Sequence, residues 1–537
     1  MSIVFIMSFG VMQAQKSIII KFKENNYTSY NGKYQSGNEN FDNLINNSGH
    51  KHNPIGNFAK TKTLVVNLNP DDFLDFYINE YKKLENVDFV EEDFIAKGAG
   101  ISNLESNSFN PISTFPNDTF FNRQWGLYND GTMSGIGSVV ADSDTDMELA
   151  WDIETGDPNM IIAVPDTGFR MTHPELAGRI WNNPNDPIDG IDNDGNGLID
   201  DYQGWDYVNN DNDPTDDYGH GSNCSGIILA KANNGIGYAG VNWNSKLMVL
   251  KVLNQNNSGT YSAMANSIYY AVDNGAKVIS MSIGGTTFSQ ALKDAVDYAY
   301  NHNVVFVACM MNDNNNAVYY PAGHDNVISV GSTNANDYRT NPFSWGGGSN
   351  YGNHIDVVAP GNYIYGLSHT SDTNYNTYWG GTSQATPLVA GIISLMLSKN
   401  PTLSVDQIRD IIRDSADDMV GNPAEDTAGF DIYMGYGRAN AFKALQDVPV
   451  LNITETADIS NIQITNPIKE SLIIRSSKEL GNTKIIIYSL EGKQIFETAA
   501  NIKQGINETN LSNIPKGNYI LEFNNKNYRK SFKIIKH

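Results

Sequence analysis

Residues 378–397 read Y-W-G-G-T-S-Q-A-T-P-L-V-A-G-I-I-S-L-M-L, a serine set among small residues at the mouth of a long apolar helix. Gly380 and Gly381 let the backbone turn sharply and leave Ser383 uncrowded. Pro387 is tolerable only because it falls in the first turn, where no intrahelical N–H is yet required. A serine so placed is offered free backbone N–H groups and the positive end of the helix dipole, the setting a developing oxyanion needs. Alone, it is an ordinary capping residue; nucleophilic chemistry requires partners elsewhere in the chain.

The chain around this stretch has 537 residues and 40% hydrophobic content, too much for one core, so two or three folded units are expected. A formal charge of -24 argues against a nucleic-acid partner and suits an extracellular protein that binds cations. Ile3 to Met12 form a short apolar run followed by Gln13-Ala14-Gln15, which reads as the core and cleavage site of a secretory signal over residues 1–15, without the usual basic leader. No other stretch is long and apolar enough to span a bilayer. Cys224 and Cys309 are too few for a disulfide scaffold, which leaves packing and metal binding to stabilise the fold.

Strand-like runs at Ser17 to Lys23, Lys62 to Leu68 and Val87 to Glu91, with a helical stretch from Pro70 to Leu84, make a small α+β unit over residues 16–97. Residues 98–118, rich in Gly, Ser, Asn and Pro, read as an exposed linker carrying a processing site. Over residues 119–447, apolar runs at Met160–Val164, Lys246–Leu253, Lys277–Ile283, Val304–Cys309, Val327–Gly331 and Ile355–Ala359 alternate with helical runs near Ser262–Asn274 and Ser289–Asn301. That alternation predicts a parallel sheet with helices on both faces, an α/β fold. Residues 448–537 change to alternating β-type runs at Ile462–Ile464, Leu472–Ile474, Lys484–Tyr488 and Tyr519–Phe523, a small all-β module that is basic from Pro467 onward.

Two further motifs match the serine stretch. Met160 to Phe169, M-I-I-A-V-P-D-T-G-F, sets Asp166 at the end of a buried strand, and Gly219 to Gly226, G-H-G-S-N-C-S-G, sets His220 at a helix start. The order Asp, His, Ser on an α/β background is the subtilisin order. Q-W-G-L at Gln124, S-M-S-I-G-G at Ser280, Y-P-A at Tyr320, V-V-A-P-G at Val357 and G-Y-G-R-A-N-A at Gly435 follow in sequence. On these motifs the stretch from about Gln124 to Leu445 resembles the subtilisin family of serine proteases. The resemblance implies that Asp166 orients His220, that His220 takes the proton of Ser383, and that Ser383 attacks the peptide carbonyl. It also implies an oxyanion donor at Asn312 and a substrate-docking edge at Ser282, Ile283 and Gly284. Met310-Met311 replaces the family's usual Ala-Gly before Asn312, which could shift the donor or narrow the pocket for the residue preceding the scissile bond. Cys224 stands where some relatives carry a cysteine beneath the histidine, and it reads as a buried small hydrophobe; its spacing gives no support to a bridge with Cys309.

Asp192 to Asp201, D-N-D-G-N-G-L-I-D-D, carries oxygen side chains at the first, third, fifth and ninth places of a calcium loop: Asp192, Asp194, Asn196 and Asp200. The closing Glu is absent, and Gln203 stands at the twelfth place. Glu175 in H-P-E-L and Asn234 in N-N-G-I-G match the family's high-affinity calcium site, with Glu for the more usual Asp. Asn86 to Asp93 is similar to the end of the subtilisin propeptide, an inhibitor until it is cleaved off. The C-terminal module, with I-I-I-Y-S-L-E-G-K at Ile485 and L-S-N-I-P-K-G-N-Y-I-L at Leu511, is similar to the sorting domain of type IX secretion. These likenesses imply a secreted or cell-surface serine endopeptidase made as a zymogen, acting on proteins and peptides, stabilised by calcium and needing no catalytic cofactor. Two alternatives stay open: a catalytically inactive surface adhesin of the same fold, motivated by Met310-Met311, and a peptide ligase working through the same acyl-enzyme.

Overall fold

Seven parallel strands form the frame: β1 (Ile161–Asp166), β2 (Trp205–Asp206), β3 (Lys246–Lys251), β4 (Val278–Met281), β5 (Val305–Cys309), β6 (Ile328–Thr333) and β7 (Val357–Pro360). Their order across the sheet is β2-β3-β1-β4-β5-β6-β7. This computed structural model describes residues 16–23, 28–30, 33–35, 50–69, 72–98, 101–104, 115–449, 462–464, 468–476, 479–489, 493–525 and 528–536. The expected signal, residues 1–15, lies outside the described residues, as do residues 105–114.

The strands read as continuous apolar runs because both faces are covered, and successive side chains enter different cores. Ile162, Val164, Leu247, Val249, Val305 and Val307 point into one core. Ala163, Met248, Leu250, Phe306 and Ala308 point into the other. The first core receives α1 (His220–Leu229) and α4 (Thr382–Lys399); the second receives α2 (Tyr261–Asp273) and α3 (Gln290–Asn301). Expected strands differ from observed ones by a few residues at their ends, except that the run Lys277–Ile283 divides. Val278–Met281 stays in the main sheet, whereas Ile283–Gly284 leaves it to become the edge of a separate small sheet.

In the N-terminal unit, Lys51–Pro54, Thr63–Asn67, Ser17–Phe22 and Val87–Glu92 form an antiparallel sheet in that order. Ile18, Ile20, Leu64 and Val66 share a core with Tyr81 of the helix Leu74–Lys82, while Ile19 and Val65 join the core that holds α2 and α3. The helix begins at Leu74 rather than Pro70, because Asp72 is held in a turn: its carboxylate accepts the Asn69 N–H at 2.7 Å and lies 2.6 Å from His50 Nε2.

The end of the unit expected over residues 16–97 and the start of the expected linker, residues 98–118, are in strands. Ile95–Gly98 runs between Ser258–Thr260 and Ile283–Gly284, antiparallel to both, and Ile101–Leu104 pairs with Thr377–Gly380. The reason is physical: these strand edges carry backbone donors and acceptors that an extended chain satisfies.

Residues 449–537 form a second compact unit. Ile462–Ile464, Ser471–Ser476 and Gly505–Asn510 make one antiparallel sheet; Gln494–Ile502, Gly481–Tyr488, Gly517–Asn525 and Tyr528–Lys536 make another. Leu472 and Ile474 of the first share a core with Ile485, Ile487, Leu521 and Phe523 of the second, a sandwich.

Candidate active site

Asp166 ends β1, at the carboxyl edge of the parallel sheet, where side chains can face a crevice. His220 opens α1, whose start is fixed by Gly219 at φ +112° and by buried Asp216. One Asp216 oxygen accepts the Gly219 N–H at 2.8 Å and the Thr167 hydroxyl at 2.7 Å; the other accepts the Ser222 N–H at 2.8 Å and its hydroxyl at 2.6 Å. Thr167, next to Asp166, also accepts the Gly221 N–H at 2.8 Å. Strand end and helix start are therefore tied together by Asp216 and Thr167, which the motifs alone did not single out. Asp166 Oδ1 lies 2.7 Å from His220 Nδ1, and neither side chain is exposed. Burial opposes a charge on His220, but the Asp166 carboxylate outweighs it, aided by Cys224, and the imidazole is raised well above its ordinary basicity.

Ser383 is the second residue of α4, where backbone N–H groups lack intrahelical partners. Its hydroxyl lies 3.3 Å from the Ser282 carbonyl. Pro387 lies four residues further on, beyond the first turn, so the first-turn argument for it fails. Its missing N–H leaves the Ser383 carbonyl without a helical donor, and that carbonyl accepts the Ser282 hydroxyl at 2.9 Å and the Cys224 thiol at 3.4 Å instead. Cys224 Sγ is also 3.9 Å from His220 Nδ1, so Cys224 touches both the imidazole and the serine's backbone. Trp379, just before the helix, meets the His220 ring edge-on at 5.5 Å. Cys224 and Cys309 are free and buried, and burial pushes the Cys309 thiol up to about 12.

Asn312 lies beside the serine. Its Oδ1 accepts the Thr382 N–H at 2.9 Å and the Thr382 hydroxyl at 3.0 Å, so the helix start engages the amide oxygen and not the NH2. Met311 takes φ +70°, a left-handed conformation that favours glycine, and Met310 is buried against Ile355, Val358 and Met434. The two methionines are thus absorbed without loss of Asn312's contact to the helix. Ile283 and Gly284, expected as a docking edge, pair with Gly98 and Lys97 of the chain's own N-terminal segment. Glu91 and Asp93 secure that segment to the catalytic domain. Glu91 caps α3, accepting the Ser289 hydroxyl at 2.6 Å and the N–H groups of Gln290 at 2.9 Å and Ala291 at 3.1 Å. Asp93 accepts the Ser262 N–H at 2.9 Å at the start of α2, and burial pushes its carboxyl up to about 6.

Glu175 is buried; one oxygen accepts the Asn234 amide at 2.9 Å, the other has no partner, and burial pushes the carboxyl up to about 7. Asp118, which sequence reasoning missed, joins this site: one oxygen accepts the Asn233 N–H at 2.7 Å and the other is buried without a partner. Its only sequence signal is its place at the end of the Asn- and Ser-rich linker. In the loop, Asp192 accepts the N–H groups of Gly195, Asn196 and Gly197, and Asp194 and Asn196 share hydrogen bonds. Asp200 turns away from this group to the N–H groups of Asp189 and Gly190, because it takes φ +60°. Asp201 takes its place, bonded to Asn183 at 2.6 Å and Asn196 at 2.8 Å, with burial pushing it up to about 6. Gln203 bonds to Asn182 at 3.2 Å, away from the loop.

A family model described as the Subtilase family matches residues 157–437, and one described as a secretion system C-terminal sorting domain matches residues 465–537. Thermitase of Thermoactinomyces vulgaris is 40% identical over 299 residues, 55% of this chain and 92% of its own length. A thermophilic serine proteinase of Bacillus sp. (strain AK1) is 34% identical over 337 residues, 63% of this chain and 73% of its own. The crystal structure of fervidolysin from Fervidobacterium pennivorans, a keratinolytic enzyme related to subtilisin, matches with a TM-score of 0.60 at 21% identity. That match covers 97% of this chain and 76% of fervidolysin, and shows a shared fold.

Proposed function

The chain belongs to the subtilase family and is a serine endopeptidase whose C-terminal sorting domain marks it for export, and from that premise we propose the roles of its residues. Ser383 Oγ attacks the peptide carbonyl while His220 accepts its proton. The same imidazolium then protonates the leaving amine, and water repeats the sequence on the acyl-enzyme. Asp166 holds the imidazole in one tautomer and stabilises its charged form. Asn312 and the Ser383 N–H receive the oxyanion, where one donor is worth about a hundredfold to a thousandfold in turnover, a magnitude known from subtilisin itself. The observation that carries this reading is the buried Asp166–His220 contact of 2.7 Å beside the start of the Ser383 helix. An inactive adhesin loses its main motive, since Asn312 keeps its bonds to Thr382 despite Met310-Met311.

The N-terminal unit acts as the inhibitor of a zymogen, with residues 1–15 as the export signal. Supporting this, Ile95–Gly98 occupies the docking edge, and Glu91 and Asp93 cap two helices of the catalytic domain. Calcium fits at Glu175, Asp118 and Asn234, a hard-oxygen set in which two buried carboxylate oxygens lack partners. A second ion is proposed at the loop of Asp192, Asp194, Asn196 and Asp200 from their spacing alone, since Asp192 accepts loop N–H groups and the Asn196 amide donates to Asp194 and Asp201. Bound there, calcium would neutralise buried acidic charge and brace the loops; it takes no part in the reaction.

A small fluorophosphonate should label the mature protein at Ser383. Ser383→Ala should abolish labelling and lower turnover of unfolded casein by about a millionfold. Labelling or casein cleavage that survives this substitution would disprove the assignment.

A further inference from the structure

The residue that donates its carbonyl to Ser383 is gripped from two sides. On the peptidase reading its backbone runs alongside the edge Ser282–Gly284, as Lys97 and Gly98 do, and its oxygen faces Asn312. Its side chain must therefore enter the space between Ser282–Gly284 and Cys309–Asn312.

That space is already furnished. Met311, nearly buried, lies across it: a Cβ built on Gly284 would stand only 2.8 Å from both Cγ and Sδ of Met311. That is closer than a Cβ comes to a non-bonded atom, so Gly284 and Met311 are complementary shapes. Met311 Sδ rests 3.6 Å from Cys309 Sγ, and Tyr319 packs on the pair, its Cβ 3.5 Å from that same point above Gly284. The Tyr319 hydroxyl donates to Asp313 at 2.7 Å, which fixes the ring from its far end.

We propose that Met311, backed by Tyr319, makes this hollow shallow, and that the peptidase cleaves after glycine and alanine rather than after large apolar or aromatic residues. The inference rests on the peptidase reading and deepens it. An independent observation agrees with it. Gly98 is paired with Ile283, next to the Ser282 whose carbonyl contacts the Ser383 hydroxyl, and Ile101 is paired with Gly380, three residues before Ser383. Three peptide bonds join these residues. Whichever is cut, the acyl residue is Gly98, Ala99 or Gly100, none larger than a methyl group. Ala96, the side chain of this segment that is fully buried, enters the same apolar cluster as Tyr261 and Ile283 and is also small.

The test is kcat/KM of the mature enzyme on a peptide series that differs only in the acyl residue: Ala, Leu and Phe. Alanine should exceed phenylalanine by about 10- to 100-fold, the range for a side chain excluded from an apolar pocket. Met311→Gly relaxes the φ of +70° as well as emptying the space, and should raise the Phe/Ala ratio at least tenfold; Met311→Ala should raise it less. N-terminal sequencing of the mature protein should begin at Ala99, Gly100 or Ile101. Cleavage after Phe or Leu equal to that after Ala in the unmodified enzyme overturns the inference while leaving the peptidase reading intact, as does an unchanged ratio in both variants. Absence of cleavage of every peptide together with absence of fluorophosphonate labelling overturns the peptidase reading, and this inference with it.

Discussion

The N-terminal unit leaves one face of its sheet for another domain to cover: Ile19 and Val65 complete the core of α2 and α3, and its last strand completes a sheet whose other members belong to the enzyme. The C-terminal unit faces Leu472, Ile474, Ile485, Ile487, Leu521 and Phe523 toward one another and encloses its own core. Both are small β-rich modules flanking one catalytic domain. A module that borrows its core and its strand partner is stable only while docked, which suits an inhibitor that is released and destroyed. A module with a self-contained core can persist as an independent address label.

The comparison breaks first if release of the N-terminal unit does not depend on the catalytic pair. Asp166→Asn should lower kcat by about ten-thousandfold and leave the N-terminal unit attached in the purified chain. It should also move the acid limb of kcat/KM. His220 must be neutral to accept a proton, and with its basicity raised by Asp166 that neutral form is lost as pH falls through a point above the ordinary imidazole range. Without the Asp166 charge the main raising influence is gone and the lowering by burial is opposed by Cys224 alone, so the residual activity should persist to lower pH. An unmoved limb would show that another group sets it.

Calcium sharpens the comparison next, because both proposed sites lie in the catalytic unit. Excess ion at a hundred times its dissociation constant should stabilise that unit by about 2.7 kcal/mol, read as a rise in Tm over a chelated sample. Glu175→Gln should remove much of the rise, and the C-terminal unit should melt alike in both samples. An equal Tm with and without calcium would count against both sites.

Glu91 tests the docking itself. Its carboxylate accepts three hydrogen bonds at the start of α3, and bonds to a charged group contribute roughly 1.5 to 3 kcal/mol. Glu91→Ala in segment 16–98, added to mature enzyme, should weaken inhibition about 10- to 100-fold. Inhibition as strong as that of the unaltered segment would mean that Ile95–Gly98 alone holds the unit in place.

Much of the frame was legible in the sequence because buried parallel strands are continuous apolar runs and the three chemical motifs sit at strand and helix ends. What was not legible depends on partners far away in the chain. Ile95–Gly98 and Ile101–Leu104 carry no alternation of their own; their conformation comes from the edges at Ser258–Thr260, Ile283–Gly284 and Thr377–Gly380. Spacing grouped Asp200 with Asp192, Asp194 and Asn196, but its left-handed backbone aims its carboxylate at the Asp189 and Gly190 N–H groups, and Asp201 bonds to Asn196 instead. Gln494–Ile502 escaped notice because its side chains are mostly exposed or half-exposed, so the contrast that marks a strand is weak. Met311 was visible as a departure, but only its left-handed φ and its contact with Gly284 show how a side chain stands where glycine is usual.

The smallest expected effect concerns the C-terminal unit. Its core draws on residues from Ile462 to Ile534 alone, and residues 449–537 separate from the rest as a compact unit. The pairings that shape the cleft, Ile283 with Gly98 and Gly380 with Ile101, lie wholly within residues 1–448. Truncation after Val448 should therefore leave kcat/KM of the mature enzyme within about twofold, the size of a surface change that touches no buried group. The isolated module 449–537 should in turn show its own cooperative unfolding transition, whereas segment 16–98 alone should unfold at far lower denaturant, because Ile19 and Val65 then face water. Loss of peptidase activity on truncation, or a segment 16–98 as stable as the C-terminal module, would mean that the two flanking units do not differ in the way their cores suggest.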